Sequence, residues 1–406
     1  MRLLLISLDG LWEKDFSLLE SMPCIGALIR SGISCKKVQT VYPALTYPVH
    51  ATILTGCLPQ AHGIAHNQPF SPGLAPTDRP WYWEASQIKR PTIHELVHEK
   101  GGKTASILWP ITGKSPYIHW NFPEVLALPG ENQTLKMLRY GSALWILAME
   151  ARYGRQRKSI HQPDLDDYAT LLAEKLLFLR RPPDFLSLHL VDCDEMRHLY
   201  GADSPEAKES IQRLDRRVGK LLTSLDRRRL YGDTVVALVS DHGLWDVSHS
   251  ISLDESLKKA GLLDICRAQS TGMGAYLHLI DGPVENMDRL LLFLEENKSS
   301  LGISRVYGNR ELREMGAGQS IRLAVEAAPG VVFVDDLATE KRAKATHGFG
   351  PAHPAAQCLF MLTGPGIRKG KTLQHARMED IAPTLMRSLG LDMPSAQGKI
   401  LPDCFE

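Results

Sequence analysis

The fold is decided by residues 234–243, which read TVVALVSDHG. Five consecutive apolar residues, 235–239, are typical of a strand that is buried on both faces. Asp241 and His242 follow this run after a single serine, and Gly243 comes next. The stretch therefore predicts an acid and an imidazole side by side at the C-terminal end of a buried strand.

The chain has three other clusters of acids and histidines, and two of them also lie at the end of an apolar run. Asp9 ends the apolar run LLLISLDG at residues 3–10. Asp194 and His198 follow a third apolar run, residues 185–191, and His347 stands before Gly348 further along the chain. Four such clusters are what a two-metal site at one edge of a sheet would need.

Composition excludes several classes of protein. The 406 residues carry a net charge of +1, which gives no support for a nucleic-acid polymer or a membrane surface as partner. No stretch approaches the roughly 18 apolar residues of a membrane span. We interpret the N-terminal run as a strand rather than a signal peptide. The seven cysteines are scattered and never spaced as CxxC, which predicts free thiols in a cytoplasmic protein.

Strand-like and helical stretches alternate along most of the chain. The order predicts an α/β fold with a mainly parallel central sheet and helices on both faces. In such sheets, ligands bind beyond the carboxyl ends of the strands. Asp9, Asp194 and Asp241 all fall there.

The predicted domain organisation is a catalytic core with insertions. Residues 1–270 and 336–406 form the core, and residues 271–335 form a small inserted α+β cap with strands near 275–280, 303–307 and 331–334 and a helix near 284–296. A second possible insertion covers residues 111–165, where residues 135–149 are predicted to form a helix rich in apolar residues.

A candidate nucleophile lies in the segment YPALTYPVHATILTG at residues 42–56. Pro48 suits the first turn of a helix and Gly56 suits its end. Thr46 would then lie at the helix N-terminus, where free amide groups and the helix dipole favour an alkoxide and a phosphoryl anion. A threonine at this position is more commonly a helix N-cap.

The segment DCDEMRH at residues 192–198 leaves the identity of the acid open. Asp194 and His198 would share a face if the segment is helical, since they are four residues apart. Asp192 and Glu195 compete with Asp194 as the acid, and spacing alone excludes neither. A helix cap with a surface histidine explains the same segment equally well.

Taken together, these motifs resemble the nucleotide pyrophosphatase/phosphodiesterase family of the alkaline phosphatase superfamily. The motifs that carry the resemblance, in chain order, are Asp9-Gly10, Pro43-x-x-Thr46-Tyr-Pro-x-His50, Gly56-x-x-Pro59-x-x-His62-Gly-Ile-x-x-Asn67, Leu108-Trp109-Pro110, Asp194-x-x-x-His198, Asp241-His242-Gly243, His347-Gly348, Gly364-Pro365-Gly366 and Asp380-Ile-Ala-Pro383. Three positions depart from the family pattern: Cys193 replaces a frequent proline, Glu195 follows Asp194, and Val49 replaces the usual asparagine.

The resemblance implies an alkaline-phosphatase-like fold and two divalent ions, most simply zinc, with manganese or iron as alternatives. It assigns Asp194, His198 and His347 to one ion, which also selects Asp194 over Asp192. It assigns the other ion to Asp9, Asp241, His242 and the Thr46 oxygen. Thr46 would be the nucleophile, and Asn67 would donate its amide to a nonbridging phosphoryl oxygen.

The implied activity is hydrolysis of a small phosphodiester or nucleotide pyrophosphate through a phospho-threonine intermediate. One alternative is a phosphonate hydrolase, similar to phosphonoacetate hydrolase, or a phosphomonoesterase of the same superfamily. Lys114, Lys136 or Lys344 could then bind a substrate carboxylate or a second phosphate group, although surface lysines are the commoner case. A second alternative is a metal-stabilised binding protein without turnover. The sequence leaves the oligomeric state undetermined.

Other residues receive structural interpretations. We expect His50 and His62 to support the nucleophile helix rather than to act in catalysis. His66, His249 and His353 could face the cleft, and the sequence does not decide. The aromatic residues Trp81, Tyr82, Trp83 and Trp109 could stack on a leaving group, although core packing is the commoner role of such a run.

Overall fold

The computed structural model describes residues 1–280, 284–338 and 343–406. The strands are β1 (Arg2–Leu8), β2 (Ile33–Gln39), β3 (Thr104–Ile107), β4 (Trp120–Phe122), β5 (Phe185–Leu190), β6 (Thr234–Val239), β7 (Trp245–Asp246), β8 (His249–Ile251), β9 (Cys266–Ser270), β10 (Gly274–Leu279), β11 (Ile303–Gly308), β12 (Leu323–Ala327), β13 (Val331–Phe333), β14 (Ala345–Thr346), β15 (Gln357–Thr363), β16 (Lys371–Leu373) and β17 (Ala376–Arg377). The α-helices are α1 (Phe16–Ser21), α2 (Pro23–Ser31), α3 (Thr46–Thr55), α4 (Pro59–His62), α5 (Ile93–Glu99), α6 (Gln133–Tyr140), α7 (Ala143–Tyr153), α8 (Asp164–Leu177), α9 (Asp192–Tyr200), α10 (Pro205–Arg227), α11 (Leu253–Lys259), α12 (Val284–Glu296), α13 (Asn309–Glu314) and α14 (Ile381–Ser388).

A nine-stranded sheet forms the centre of the fold. Its strand order is β16-β2-β15-β6-β1-β5-β3-β4, and β17 also pairs with β2. β15 is antiparallel to both of its neighbours, whereas the pairs of β1 with β5 and β6, and of β3 with β4 and β5, are parallel. The predicted α/β fold with a mainly parallel sheet is confirmed.

Alternation of side chains along the strands places a core on each face of this sheet. On β1, Leu4 and Ile6 pack with helices α2, α8 and α10, while Leu3 and Leu5 pack with α3, α5 and α14. The continuous apolar sequence of the strand follows from this double coverage. Both faces are therefore covered by helices, and a site can open only beyond the strand ends.

A smaller antiparallel sheet with the order β11-β12-β10-β9 lies within the later part of the chain. It shares a core with α11 and α12 that includes Leu257, Leu290 and Leu294. β9 (Cys266–Ser270) belongs to this sheet although it precedes the predicted cap boundary at residue 271, and β4 of the central sheet lies inside the predicted insertion 111–165. The exact domain boundaries stay a prediction.

The prediction of one helix over residues 135–149 is wrong, because the structure has two helices there. α6 ends at Tyr140 and α7 begins at Ala143. Gly141 between them adopts an extended backbone (φ −106°, ψ −170°). A Cβ at Gly141 would lie 2.7 Å from the carbonyl oxygen of Asn121 and 2.6 Å from Ile146 Cδ1, so only glycine allows this close approach to β4.

Candidate active site

The predicted site residues meet at one edge of the central sheet, where β6, β1 and β5 end side by side. Asp9 directly follows β1, and Asp241 and His242 follow β6 after Ser240. Asp194 lies in the first turn of α9, which begins just beyond β5. The site is therefore a consequence of parallel strands whose carboxyl ends share an edge.

Helix α9 brings its acid and its histidine onto one face. Nε2 of His198 lies 3.4 Å from Oδ2 of Asp194, as the spacing of four residues predicts for a helix. Asp192 instead is fully buried beneath the site, where its carboxylate pairs with Arg213 at 2.7 Å and Arg217 at 2.6 Å. Of the two aspartates that spacing left open, the structure thus brings Asp194 into the site and pairs Asp192 elsewhere.

Gly10 is required where β1 approaches α9. Its φ is +79°, and a Cβ there would lie 2.9 Å from Cα of Asp194. The free N–H of Gly10 donates to Oδ1 of Asp241 at 3.2 Å, which fixes the rotation of that carboxylate. A side chain at this position would strain the backbone and push apart two predicted metal ligands.

Thr46 is the first residue of α3, and it does not serve as the helix N-cap. The N-cap is Leu45, and its side chain makes no capping hydrogen bond. Oγ1 of Thr46 lies 3.2 Å from Nε2 of His242, on the side of the metal cluster. His50 supports the helix from below: Nδ1 donates to the carbonyl of Thr46 at 2.8 Å, and Nε2 accepts from Ser7 on β1 at 2.9 Å.

Two triads of buried side chains could each hold a metal ion. Among the residues that the structure describes, Asp9, Asp241 and His242 form one triad and Asp194, His242 and His347 the other, with ligand atoms within 4.8 Å of one another. Buried oxygens Oδ1 of Asp9, Oδ1 of Asp194 and Oδ2 of Asp241 have no hydrogen-bond partner. Orphaned buried carboxylate oxygens are costly unless a cation binds them, so the donor set fits divalent ions.

The two remaining histidines are oriented by backbone carbonyls. Nδ1 of His347 donates to Ala44 at 3.0 Å and Nδ1 of His198 donates to Ala345 at 2.8 Å. Each ring therefore carries its hydrogen on Nδ1, which leaves Nε2 unprotonated and able to bind a metal. His242 belongs to both triads, so the division of the seven predicted ligands between two ions stays a prediction.

The pKa shifts of the predicted ligands indicate that the two triads contain no positive charge of their own. Burial, followed by the neighbouring carboxylate of Asp194, raises the pKa of Asp9 to about 7. Burial and then Asp9 raise the pKa of Asp241 well above its usual value. Burial lowers the pKa of His242 well below its ordinary range and that of His347 to about 4. Divalent cations would favour ionised carboxylates and neutral imidazoles together.

Asn67 is held in one orientation by the start of α3. Its Oδ1 accepts the backbone N–H of Tyr47 at 3.0 Å. The Nδ2 group must then point the other way, and Asn67 lines the same cleft as His198 and His347. This amide can donate to an anion bound beside Thr46.

A cleft of about 260 Å³ opens above the cluster, between the core and the smaller sheet. Its walls include His66, Asn67, Trp81, Ser270, Phe333 and His347, and none of the described residues that line it is lysine or arginine.

The three lysines considered as substrate-binding groups lie elsewhere or have other partners. Lys114 pairs with Glu84 at 2.6 Å, and Lys136 is buried over the ring of Trp83 with Glu131 as its partner. Lys344 is exposed.

The sequence interpretation missed His189 and Glu124. His189 lies on β5 with its ring fully buried, and Nε2 is 2.9 Å from Oδ2 of Asp9. Nδ1 is 3.2 Å from Oε2 of Glu124 and 3.0 Å from the carbonyl of Leu108. The available signal was a histidine inside an apolar strand, FLSLHL, which needs a polar partner.

The other histidines make local contacts. Nε2 of His62 lies 3.0 Å from Oγ1 of Thr52 on α3. His66 lines the cleft, and its Nε2 donates to the carbonyl of Ser270 at 2.8 Å. His249 contacts the neighbouring Ser248, and His353 accepts the N–H of Ala355.

The aromatic run divides between the cleft and the core. Trp81 lines the cleft and packs edge-on against Tyr47 at 5.2 Å between ring centroids. Trp83 and Trp109 are buried, and Tyr82 is half-buried.

The fold and this edge cluster define the chain as an alkaline-phosphatase-like α/β protein. Within the described ranges, the helices are all too short or too polar to cross a bilayer. The model of the family described as type I phosphodiesterase/nucleotide pyrophosphatase matches residues 3–317. The chain belongs to this family.

Curated relatives and solved structures agree with this assignment. Venom phosphodiesterase 2 of Crotalus adamanteus is 28% identical over 259 residues, which cover 61% of this chain and 27% of that protein. Human ectonucleotide pyrophosphatase/phosphodiesterase family member 7 is 25% identical over 249 residues, covering 61% and 48%. The chain thus spans about a quarter to a half of these relatives. The structure of murine ectonucleotide pyrophosphatase/phosphodiesterase 5 matches with a TM-score of 0.75 and 19% identity over 100% of both chains, which shows the same fold.

Proposed function

We propose that this protein is a metal-dependent phosphodiesterase or nucleotide pyrophosphatase that uses Thr46 as its nucleophile. The observation that carries the proposal is the position of the Thr46 hydroxyl. It stands at the N-terminus of α3, and its oxygen lies 3.2 Å from His242 beside three orphaned carboxylate oxygens. A hydroxyl used only for capping would point back at its own helix.

Two divalent ions fit the donor set, and zinc suits its mixture of carboxylates and imidazoles best. Asp9, Asp241, His242 and the Thr46 oxygen would hold one ion, and Asp194, His198 and His347 the other. Such ions would lower the pKa of the Thr46 hydroxyl and offset the charge on the phosphoryl oxygens.

The chain's own groups account for the remaining steps. The Thr46 hydroxyl releases its proton to solvent as its oxygen attacks phosphorus in line. A P–O bond to Thr46 forms, and the bond to the leaving oxygen breaks. The Nδ2 of Asn67 and the positive end of the α3 dipole stabilise the nonbridging oxygens. Water then attacks the phospho-threonine from the opposite side and restores the Thr46 hydroxyl.

The cleft supports a diester or pyrophosphate in preference to a dianionic monoester or a phosphonate with a carboxylate. Additional negative charge on a substrate requires a cationic partner, and none of the described lining residues provides one. Lys114 and Lys136, which could have bound a carboxylate, are paired elsewhere. One solved structure of the murine relative is of an inactive threonine-to-alanine variant in complex with AMP. A nucleotide-sized substrate for this chain is consistent with that complex.

We also propose that the protein works in the cytoplasm. All seven cysteines are free, and six of them are buried among apolar side chains, as expected in a reducing compartment.

A substrate panel tests the proposal. Bis-p-nitrophenyl phosphate, a p-nitrophenyl thymidylate ester, p-nitrophenyl phosphate and phosphonoacetate are compared with zinc and with manganese. We expect the highest kcat/KM for one of the two diesters. Preference for the monoester or for phosphonoacetate would contradict the assigned substrate class, and no turnover of any substrate would favour a binding protein.

A further inference from the structure

Asp9 has two carboxylate oxygens in different surroundings. Oδ2 is 2.9 Å from Nε2 of His189, whereas Oδ1 has no hydrogen-bond partner and lies on the side of His242, 3.7 Å from its Nε2. One oxygen is therefore fixed by an imidazole, and the other remains for a metal ion.

His189 must donate from both ring nitrogens to satisfy its two contacts. The carbonyl of Leu108, 3.0 Å from Nδ1, and the carboxylate of Asp9, 2.9 Å from Nε2, both only accept hydrogen bonds, so each nitrogen carries a hydrogen and the ring is an imidazolium. Oε2 of Glu124 lies 3.2 Å from Nδ1. The ring is fully buried. Its Nδ1 faces two acceptors, Leu108 and Glu124, and its Nε2 faces Asp9.

Glu124 connects this contact to another part of the site. It is the second residue after β4, and its side chain is 24% exposed, at the rim of the buried cluster. Its second oxygen, Oε1, accepts a hydrogen bond from the hydroxyl of Tyr47 at 3.4 Å. Tyr47 is the residue next to Thr46, so one chain of contacts joins Asp9 to the start of the nucleophile helix.

We propose that His189 and Glu124 are positioning residues that orient the Asp9 carboxylate so that Oδ1 faces one metal ion. The inference rests on the proposed two-metal site, which contains Asp9. Groups that orient a metal ligand commonly change affinity for the ion 10–100-fold when they are removed. The effect should be confined to the ion that Asp9 binds.

The test measures Zn²⁺ affinity on the full chain after chelator dialysis, by competition with a chromogenic chelator. In His189→Phe, which keeps a ring but has no donor, we expect one of two ions to bind about 10–100-fold more weakly and the other to be unchanged. His189→Gln should recover much of the loss, because its amide can still donate to Asp9.

His94→Phe is a matched control. His94 is equally buried and contacts the same strand through Ser187, at 3.1 Å, but it lies outside the cluster. We expect both ions to bind this variant as they bind the wild type. An equal weakening in His94→Phe and His189→Phe would show a general packing effect and would overturn the proposal.

Glu124→Ala extends the test to a partly exposed residue. Because Leu108 still accepts from Nδ1, we expect a smaller, several-fold weakening of the same ion. Glu124→Ala should add little in the His189→Phe background, since Glu124 acts on Asp9 through His189. If His189→Phe does not fold, Glu124→Ala decides alone: unchanged affinity for both ions overturns the proposal.

Failure of this inference can be separated from failure of the proposed function. A wild-type protein that does not bind two Zn²⁺ ions would contradict both. Two tightly bound ions in the wild type, with unchanged affinities in folded His189→Phe, would contradict the positioning role alone.

Discussion

Substitutions of Asn67 can distinguish a structural role of this side chain from a catalytic one. Its Oδ1 accepts the N–H of Tyr47 at 3.0 Å, which helps to anchor the first turn of α3. Its Nδ2 is directed into the cleft, where we propose that it donates to a phosphoryl oxygen. The oxygen and the nitrogen of this amide thus have different proposed roles. Asn67→Asp removes the donor and keeps the acceptor.

The expected loss follows from this geometry. Removal of one donor to an oxyanion lowers kcat by about 10²–10³, equivalent to about 2.7–4 kcal/mol of transition-state stabilisation. In Asn67→Asp, the acceptor for Tyr47 is kept, but a carboxylate oxygen replaces the amide and faces the phosphoryl anion. We therefore expect Asn67→Asp to lose at least as much kcat as Asn67→Ala.

Steady-state hydrolysis of bis-p-nitrophenyl phosphate measures the loss, with metal content and the unfolding midpoint as controls. A purely structural Asn67 predicts the opposite order, because Asn67→Asp preserves the contact with Tyr47 and Asn67→Ala does not. Near-wild-type kcat in folded, metal-loaded Asn67→Asp would refute the assignment of the amide to the phosphoryl oxygen.

Three further predictions concern the nucleophile and the stability of the fold. Thr46→Ala should abolish turnover while circular dichroism and the unfolding midpoint stay unchanged, and substantial residual activity would remove Thr46 from its role. Burial lowers the pKa of His62 and of His94 to about 3. Between about pH 6.5 and 3, the unfolded state binds protons that the folded state does not. Each residue therefore reduces the free energy of unfolding by about 1.4 kcal/mol per unit of falling pH, and denaturant titrations of His94→Phe should show a slope shallower by that amount. Arg217→Ala should destabilise the fold by about 3–5 kcal/mol, because buried Asp166, 3.6 Å from Arg217, would lose its cationic partner, whereas Asp192 would keep Arg213. A change below about 1 kcal/mol in urea unfolding would contradict this.

The fold was predictable because its strong signals are local. Apolar runs such as 235–239 identify strands that are covered on both faces, and Ser204-Pro205 marks the start of α10, where Ser204 accepts the N–H of Ala207. The break between α6 and α7 was not predictable in the same way. Glycine is needed at position 141 because the backbone there lies close to Asn121, and the apolar residues that favour a helix over 135–149 stand on both sides of it.

Residues of the candidate site also divide into those that local sequence patterns predict and those that depend on tertiary contacts. Asp9 and Asp241 each follow a strand, and the carboxyl ends of parallel strands lie at the same edge of the sheet. Their positions after apolar runs were therefore enough to predict that they lie close together. His189 indicates only that a histidine inside an apolar strand needs a polar partner. Its contact with Asp9 depends on strand register, because Leu8 is paired with Leu190 across the sheet. Glu124 lies in a loop, and no periodicity relates it to His189.

The stereochemical course at phosphorus tests the central claim most directly. A chiral phosphorothioate diester is hydrolysed in isotopically labelled water, and the configuration of the product is determined by NMR. Two successive in-line displacements, first by the Thr46 oxygen and then by water, predict net retention. Net inversion would mean that water attacks the substrate directly, and it would contradict a phospho-threonine intermediate.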